Sequence, residues 1–132
     1  ELIAGLLEWM YQHQTDYTNT FRALTEAALP QDAMFREAGF VEWHDRWQQR
    51  LTRQPQSQSE SLQLMQANNP VIIPRNHRVE EALTAASEQG DYTVLQRLLA
   101  ALAQPYEDDP EYFDYRTPPA PSERVYQTFC GT

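Results

Sequence analysis

Arg75, Asn76, His77 and Arg78 stand in consecutive positions behind Pro74, the densest run of polar chemistry in this 132-residue sequence. Two guanidiniums, an imidazole and an amide gathered where a helix can begin would suit an anion, because first-turn amides lack an intrahelical partner. The same residues serve equally as a structural corner, with Arg75 and Arg78 paired to carboxylates that lock an extended segment onto a helical body. The structural pairing is the preferred reading, and the anion site stays open beside it.

Other reactive side chains are scattered. His13, His44 and His77 lie far apart, and none has a histidine four residues on, so each reads as a hydrogen-bonding surface or interface residue rather than a zinc ligand. Glu107-Asp108-Asp109 lacks the spaced ligands and loop glycine of a calcium site and reads as a solvated charge run. Trp9, Trp43 and Trp47 could form a ligand platform, but their setting within helical patterns makes them core. Cys130 is the single cysteine, which excludes an internal disulfide and a multi-cysteine zinc site and fits a reducing, cytoplasmic setting. All ten cationic residues are Arg. Chemistry that needs Lys is therefore excluded from the chain: a Schiff base, a Walker A lysine, or the phosphate-pairing lysine of a kinase. No glycine-rich phosphate loop is present, and no residue is assigned as catalytic or as a metal ligand.

Nineteen acidic residues against the ten arginines give a net charge of −9. Such a surface repels phosphate backbones and anionic membranes, so neither nucleic acid nor membrane is an expected partner. No apolar run approaches the ~20 residues that span a bilayer, and the start shows no signal-peptide pattern.

The elements that must position these residues are helical. Leu2, Leu6 and Met10, with Ile3 and Leu7 beside them, make one apolar stripe. That helix begins without a capping residue, which fits a piece of a longer protein. Asp16 caps a second helix running to about Ala28, with Phe21 and Leu24 inward; Pro30 stops it, and Asp32 caps a short turn. Phe40, Trp43, Trp47 and Leu51 carry a third helix, to about Arg53. The polar stretch of about 54–61 reads as a flexible connector, before a short helix through Leu62 and Met65. Asn69 to Pro74 brackets Val71-Ile72-Ile73 with prolines and reads as an extended, anchored segment. Asn76 then caps a helix with Val79, Ala82, Leu83 and Ala86 inward, ended by Gly90. Asp91 caps the next, striped by Leu95, Leu98, Leu99 and Leu102, and the two form an antiparallel hairpin. The fold class is all-α: a small bundle of about five helices, the Pro-bracketed segment, and an irregular aromatic, acidic tail. Residues 1–104 form the helical region and 105–132 the tail. Its aromatics argue for wrapping over a surface rather than disorder.

Asn69 through Leu83 resembles the NPxxIPRNHRVEEAL segment of the selenoprotein O (YdiU) family. Asp16-Tyr17-Thr18-Asn19-Thr20-Phe21-Arg22, Gly90-Asp91, Pro105-Tyr106, Pro118-Pro119 and the ending Tyr126 to Thr132 extend the likeness over most of the chain. The resemblance implies the C-terminal helical region of a bacterial, cytoplasmic, pseudokinase-like protein adenylyltransferase. Such an enzyme moves AMP from ATP to hydroxyl side chains of protein substrates with a divalent metal, Mg or Mn, and its catalytic residues lie upstream. This region would be non-catalytic and pack on the kinase-like core. Family members carry selenocysteine or cysteine third from the C-terminus, where Cys130 stands, and in bacterial relatives that cysteine pairs with one in the core. Cys130 is by that likeness a redox-regulatory residue. The reading from another class is a freestanding acidic helical module that binds a protein partner through its aromatic tail.

Overall fold

The computed structural model describes residues 1–26 and 28–123. Among them every regular element is helical, so the chain is all-α. It divides into two compact units, residues 1–70 and residues from Val71 onward. No described helix is long and apolar enough to cross a membrane.

The first unit holds α1 (Leu2–His13), α2 (Tyr17–Ala23), a 3₁₀ turn (Ala33–Arg36), α3 (Ala38–Leu51) and α4 (Gln58–Asn68). Its core is aromatic. Leu6, Trp9 and Met10 of α1 meet Leu24, Phe35, and Phe40 and Trp43 of α3. Phe35 stands edge-on to Phe40 with ring centres 5.0 Å apart, the electrostatically favoured arrangement of two rings. Trp47 stacks on Trp43 at 5.7 Å, so these tryptophans belong to the core and its rim. The Trp43 indole N–H donates to the Leu2 carbonyl at 2.8 Å and ties α3 to the start of α1. Gly5 makes room for this approach, since a Cβ there would meet Trp43 Cδ1 at 3.3 Å.

Several local expectations shift. Asp16 does cap α2, its carboxylate accepting from the Asn19 amide at 2.9 Å. The helix stops at Ala23 instead of continuing to about Ala28. There Thr25 turns both its amide and its hydroxyl onto the Arg22 carbonyl, and that tighter bonding replaces the next helical turn. Part of the supposed connector is helix: Ser57 caps α4, accepting from the Glu60 amide while the Glu60 carboxylate accepts from the Ser57 amide. Ile3 and Leu7 do not join the buried stripe of α1; they are exposed.

The second unit begins with the extended segment. Val71 and Ile72 are almost wholly buried, and both of their amides donate to the Pro105 carbonyl, at 2.7 and 3.2 Å. Helices α5 (Asn76–Gln89) and α6 (Thr93–Ala103) pack as a hairpin across Gly90, whose φ of 66° is the left-handed geometry that glycine adopts cheaply. Small residues line the seam: Ala82 and Ala101 are buried in one cluster with Leu98. Leu83 and Leu99, expected inside, are exposed, and Ala85 takes the inward place. Asn76 opens α5 instead of capping it; the capping position falls on Arg75, which makes no side-chain cap. Asp91 sits one place before the cap of α6 and accepts from the Thr93 amide at 2.9 Å. The tail continues as a 3₁₀ segment (Pro110–Arg116), and its Tyr115 is buried against Val71, Ile72, Ala82 and Leu98.

Candidate functional site

The Pro74–Arg78 corner lies in the second unit, where the extended segment becomes α5. Arg75 is 7% exposed, far more buried than a guanidinium normally is. Arg78 faces two ways. One nitrogen donates to the Glu81 carboxylate at 2.9 Å, one turn along α5, and another donates to the Asp114 carbonyl of the tail at 3.3 Å. Its guanidinium also lies 5.7 Å from the centre of the Tyr115 ring. His77 is partly buried, and desolvation first, then the Arg78 charge, holds its imidazole below the ordinary histidine range. The corner therefore favours a neutral His77 between two permanent cations.

Arg97, on α6, was not singled out by sequence reasoning. It grips Asp114 with two nitrogens, at 2.9 and 3.1 Å, and donates to the Glu111 carbonyl at 2.7 Å. The same guanidinium lies 4.9 Å from the Tyr115 ring centre and 5.7 Å from that of Tyr112. Hydrogen bonding from Arg97 holds the Asp114 carboxyl below the usual carboxylate range. Arg116 pairs with Asp108 at 2.9 Å and lies over Phe113. Arg78 and Arg97 thus fasten the tail to α5 and α6 through a carboxylate, carbonyls and aromatic faces together, while Arg116 braces the tail internally. The available signal was the mixture of acids and aromatics in Glu111-Tyr112-Phe113-Asp114-Tyr115. The partner seventeen residues away could not be read from it.

In the first unit, Arg22 does comparable work. It is buried and donates to the carbonyls of Gln66 and Asn69 at 3.2 and 3.1 Å, at the end of α4. Those carbonyls lack helical partners, and a cation there also meets the negative end of the helix dipole. His13 lies 3.3 Å from Glu37, and His44, partly buried beside Trp47, is held below the ordinary range by desolvation. The three histidines are not brought together, and among the described residues no three His, Cys, Asp or Glu gather as a ligand set. Cys130 lies outside the described residues.

The geometry defines an all-α chain whose buried and half-buried arginines engage its own carbonyls, carboxylates and rings. Residues 1–103 match the family described as "Protein adenylyltransferase SelO", and the chain belongs to that family. It is 57% identical to a protein nucleotidyltransferase YdiU of Syntrophotalea carbinolica over 99% of its length, and 56% identical to one of Bacillus mycoides over the same share. A third, from Nitrosococcus oceani, is 50% identical over the whole chain. In each case the chain spans only 27% of the relative.

Proposed function

We propose that this chain is a non-catalytic helical region of a protein adenylyltransferase, packing on a kinase-like core and carrying a redox-regulatory cysteine, Cys130. The observation that carries the reading is the match of nearly the whole chain to relatives named as nucleotidyltransferases, of which it spans 27%. In the full-length protein AMP passes from ATP to Ser, Thr or Tyr hydroxyls of protein substrates. The reading assigns ATP and its Mg or Mn to the rest of the protein. One feature supports that assignment: the sequence has no Lys. The Arg75–Arg78 corner and the Arg97 clamp are then structural, holding the chain that leads toward Cys130. A reducing, cytoplasmic setting belongs to the same reading.

Labelled ATP tests the first part. Full-length protein with Mg or Mn should place labelled AMP on hydroxyls of protein acceptors, and these 132 residues alone should place none. Incorporation by the short chain above a buffer control sinks the non-catalytic assignment. For Cys130, reductant should activate the wild-type full-length protein, and Cys130→Ser should be active without it. Equal activation of both, or of neither, removes the tail from redox control.

A further inference from the structure

A cavity of about 260 Å³ lies inside the first unit, walled by α3, α4 and the bend after α2. Helix α3 contributes His44, Trp47 and Leu51, which share one face because they recur at steps of three and four. Helix α4 contributes Ser61, Leu62 and Met65, again one face, and Leu24 of the bend completes the wall. Leu51, Leu62 and Met65 are half-buried yet belong to neither hydrophobic core. They line unfilled space instead. Protein interiors are otherwise packed as closely as organic crystals, so a void between two apolar faces needs something to hold it open.

That hold is polar and sits at the end of α4. The Gln66 amide donates to the Thr25 carbonyl at 3.1 Å, and Arg22 donates to the carbonyls of Gln66 and Asn69. Helix α4 is thereby pinned to the bend after α2. Inside the cavity the polar groups are uncharged or compensated. Ser61 is 8% exposed, and its hydroxyl has no hydrogen-bond partner among the described residues. A buried hydroxyl left in that state costs stability until a ligand or water completes it. Desolvation holds the His44 imidazole below its ordinary range and favours the neutral ring, and Gln48 Nε2 stands 3.4 Å from its Nε2. Glu26 carries the one carboxylate of the wall and is paired with Arg22 at 3.6 Å. No arginine is among the described lining residues, so an anionic ligand finds no counter-charge there.

We propose that this cavity binds an uncharged aromatic small molecule with one hydroxyl, its ring against Trp47, Leu62 and Met65 and its hydroxyl bonded to Ser61. The lining selects that chemistry. Trp47 offers an aromatic surface, and the Met65 thioether is a polarizable partner for a ring. Apolar voids of roughly 150 Å³ already admit a benzene ring, and this one has room for a ring with its substituent. Water alone satisfies the Ser61 hydroxyl but leaves the apolar wall wetted, whereas a phenol removes both costs. The bound molecule bridges α3 and α4 and so stabilises the first unit. The inference does not depend on AMP transfer or on Cys130.

Fluorine NMR of 4-fluorophenol with the full-length protein tests it, beside fluorobenzene as the probe that lacks the hydroxyl. With the wild type both signals should broaden in a saturable way, and 4-fluorophenol should bind several-fold more tightly. Ser61→Ala removes only the hydroxyl and should erase that preference while fluorobenzene binds as before. Leu62→Trp fills the cavity with its own ring and should abolish binding of both probes. The Ser61→Ala comparison stays decisive even where the larger side chain disturbs the fold. Broadening that never saturates overturns the proposal, and so does binding that Leu62→Trp leaves unchanged, which places the probes elsewhere on the protein. Equal affinity for the two probes in the wild type, or a preference that survives Ser61→Ala, overturns it as well, since Ser61 then reads no hydroxyl.

Discussion

Residues 1–70 and the residues from Val71 onward bury helical cores by different means. The first unit uses large rings, with Trp9, Phe35, Phe40 and Trp43 filling the space between α1, the 3₁₀ turn and α3. The second uses alanines where α5 meets α6, and adds guanidiniums that fasten an irregular tail over the hairpin. A ring core draws its stability from the apolar area each side chain removes from water. An alanine seam gains less per residue and depends on backbones staying close, so polar fastening matters more there. The difference predicts opposite sensitivities, to loss of volume in one unit and to added volume or lost clamps in the other.

The largest expected effect is Phe40→Ala, since this ring is 1% exposed and touches Trp9, Phe35 and Trp43. Removing it should cost about 3–5 kcal/mol, read as faster hydrogen exchange of α1 and α3 amides in step with a lower denaturation midpoint. A loss below about 1 kcal/mol would show that the rings repack, and the contrast between the units would fail.

Next in size is Ala82→Leu. Ala82 is completely buried in the hairpin seam, so the added atoms must push other groups aside. The expected cost is about 1–3 kcal/mol, measured by exchange of α5 and α6 amides. An unchanged or more stable protein would mean that the seam holds unused space.

The smallest effect belongs to Arg97→Ala. Both partners of the Arg97–Asp114 pair are about half exposed, so water and salt screen it, and its loss should cost no more than about 1 kcal/mol. Exchange of the Tyr112–Tyr115 amides should rise more than that of α6. The pair also predicts a pH dependence. The folded protein holds the Asp114 carboxyl below its ordinary value of 3.8, so its contribution is complete above that value and disappears as pH falls through the lowered one. Asp114→Asn should flatten that acid limb; an identical acid profile would detach the clamp from stability.

What the sequence made legible follows the range of each interaction. Asp16 and Gly90 were readable because a cap and a left-handed turn are settled within a few residues. The Ser57-to-Glu60 box was equally local, yet the polar monotony around it suggested a connector and hid the start of α4. Periodicity placed Leu83, Leu99, Ile3 and Leu7 beside an apolar stripe, but it cannot say how wide a stripe the neighbouring elements cover. The Arg75–Arg78 corner stood out by composition alone. Arg22 and Arg97 each acquired their structural role from partners far along the chain, which no local pattern announces.

The Pro105 carbonyl that receives both Val71 and Ile72 amides has a mechanical meaning. It brings together the two points where the chain enters and leaves the helical hairpin, like a clasp closing a loop. Tension applied between those points loads the two hydrogen bonds directly, before either α5 or α6 must unwind. Tension applied at Gly90, in the turn between the helices, bypasses the clasp and peels the seam instead. The hairpin should therefore yield at different forces according to where it is pulled, stiff across its base and soft at its tip.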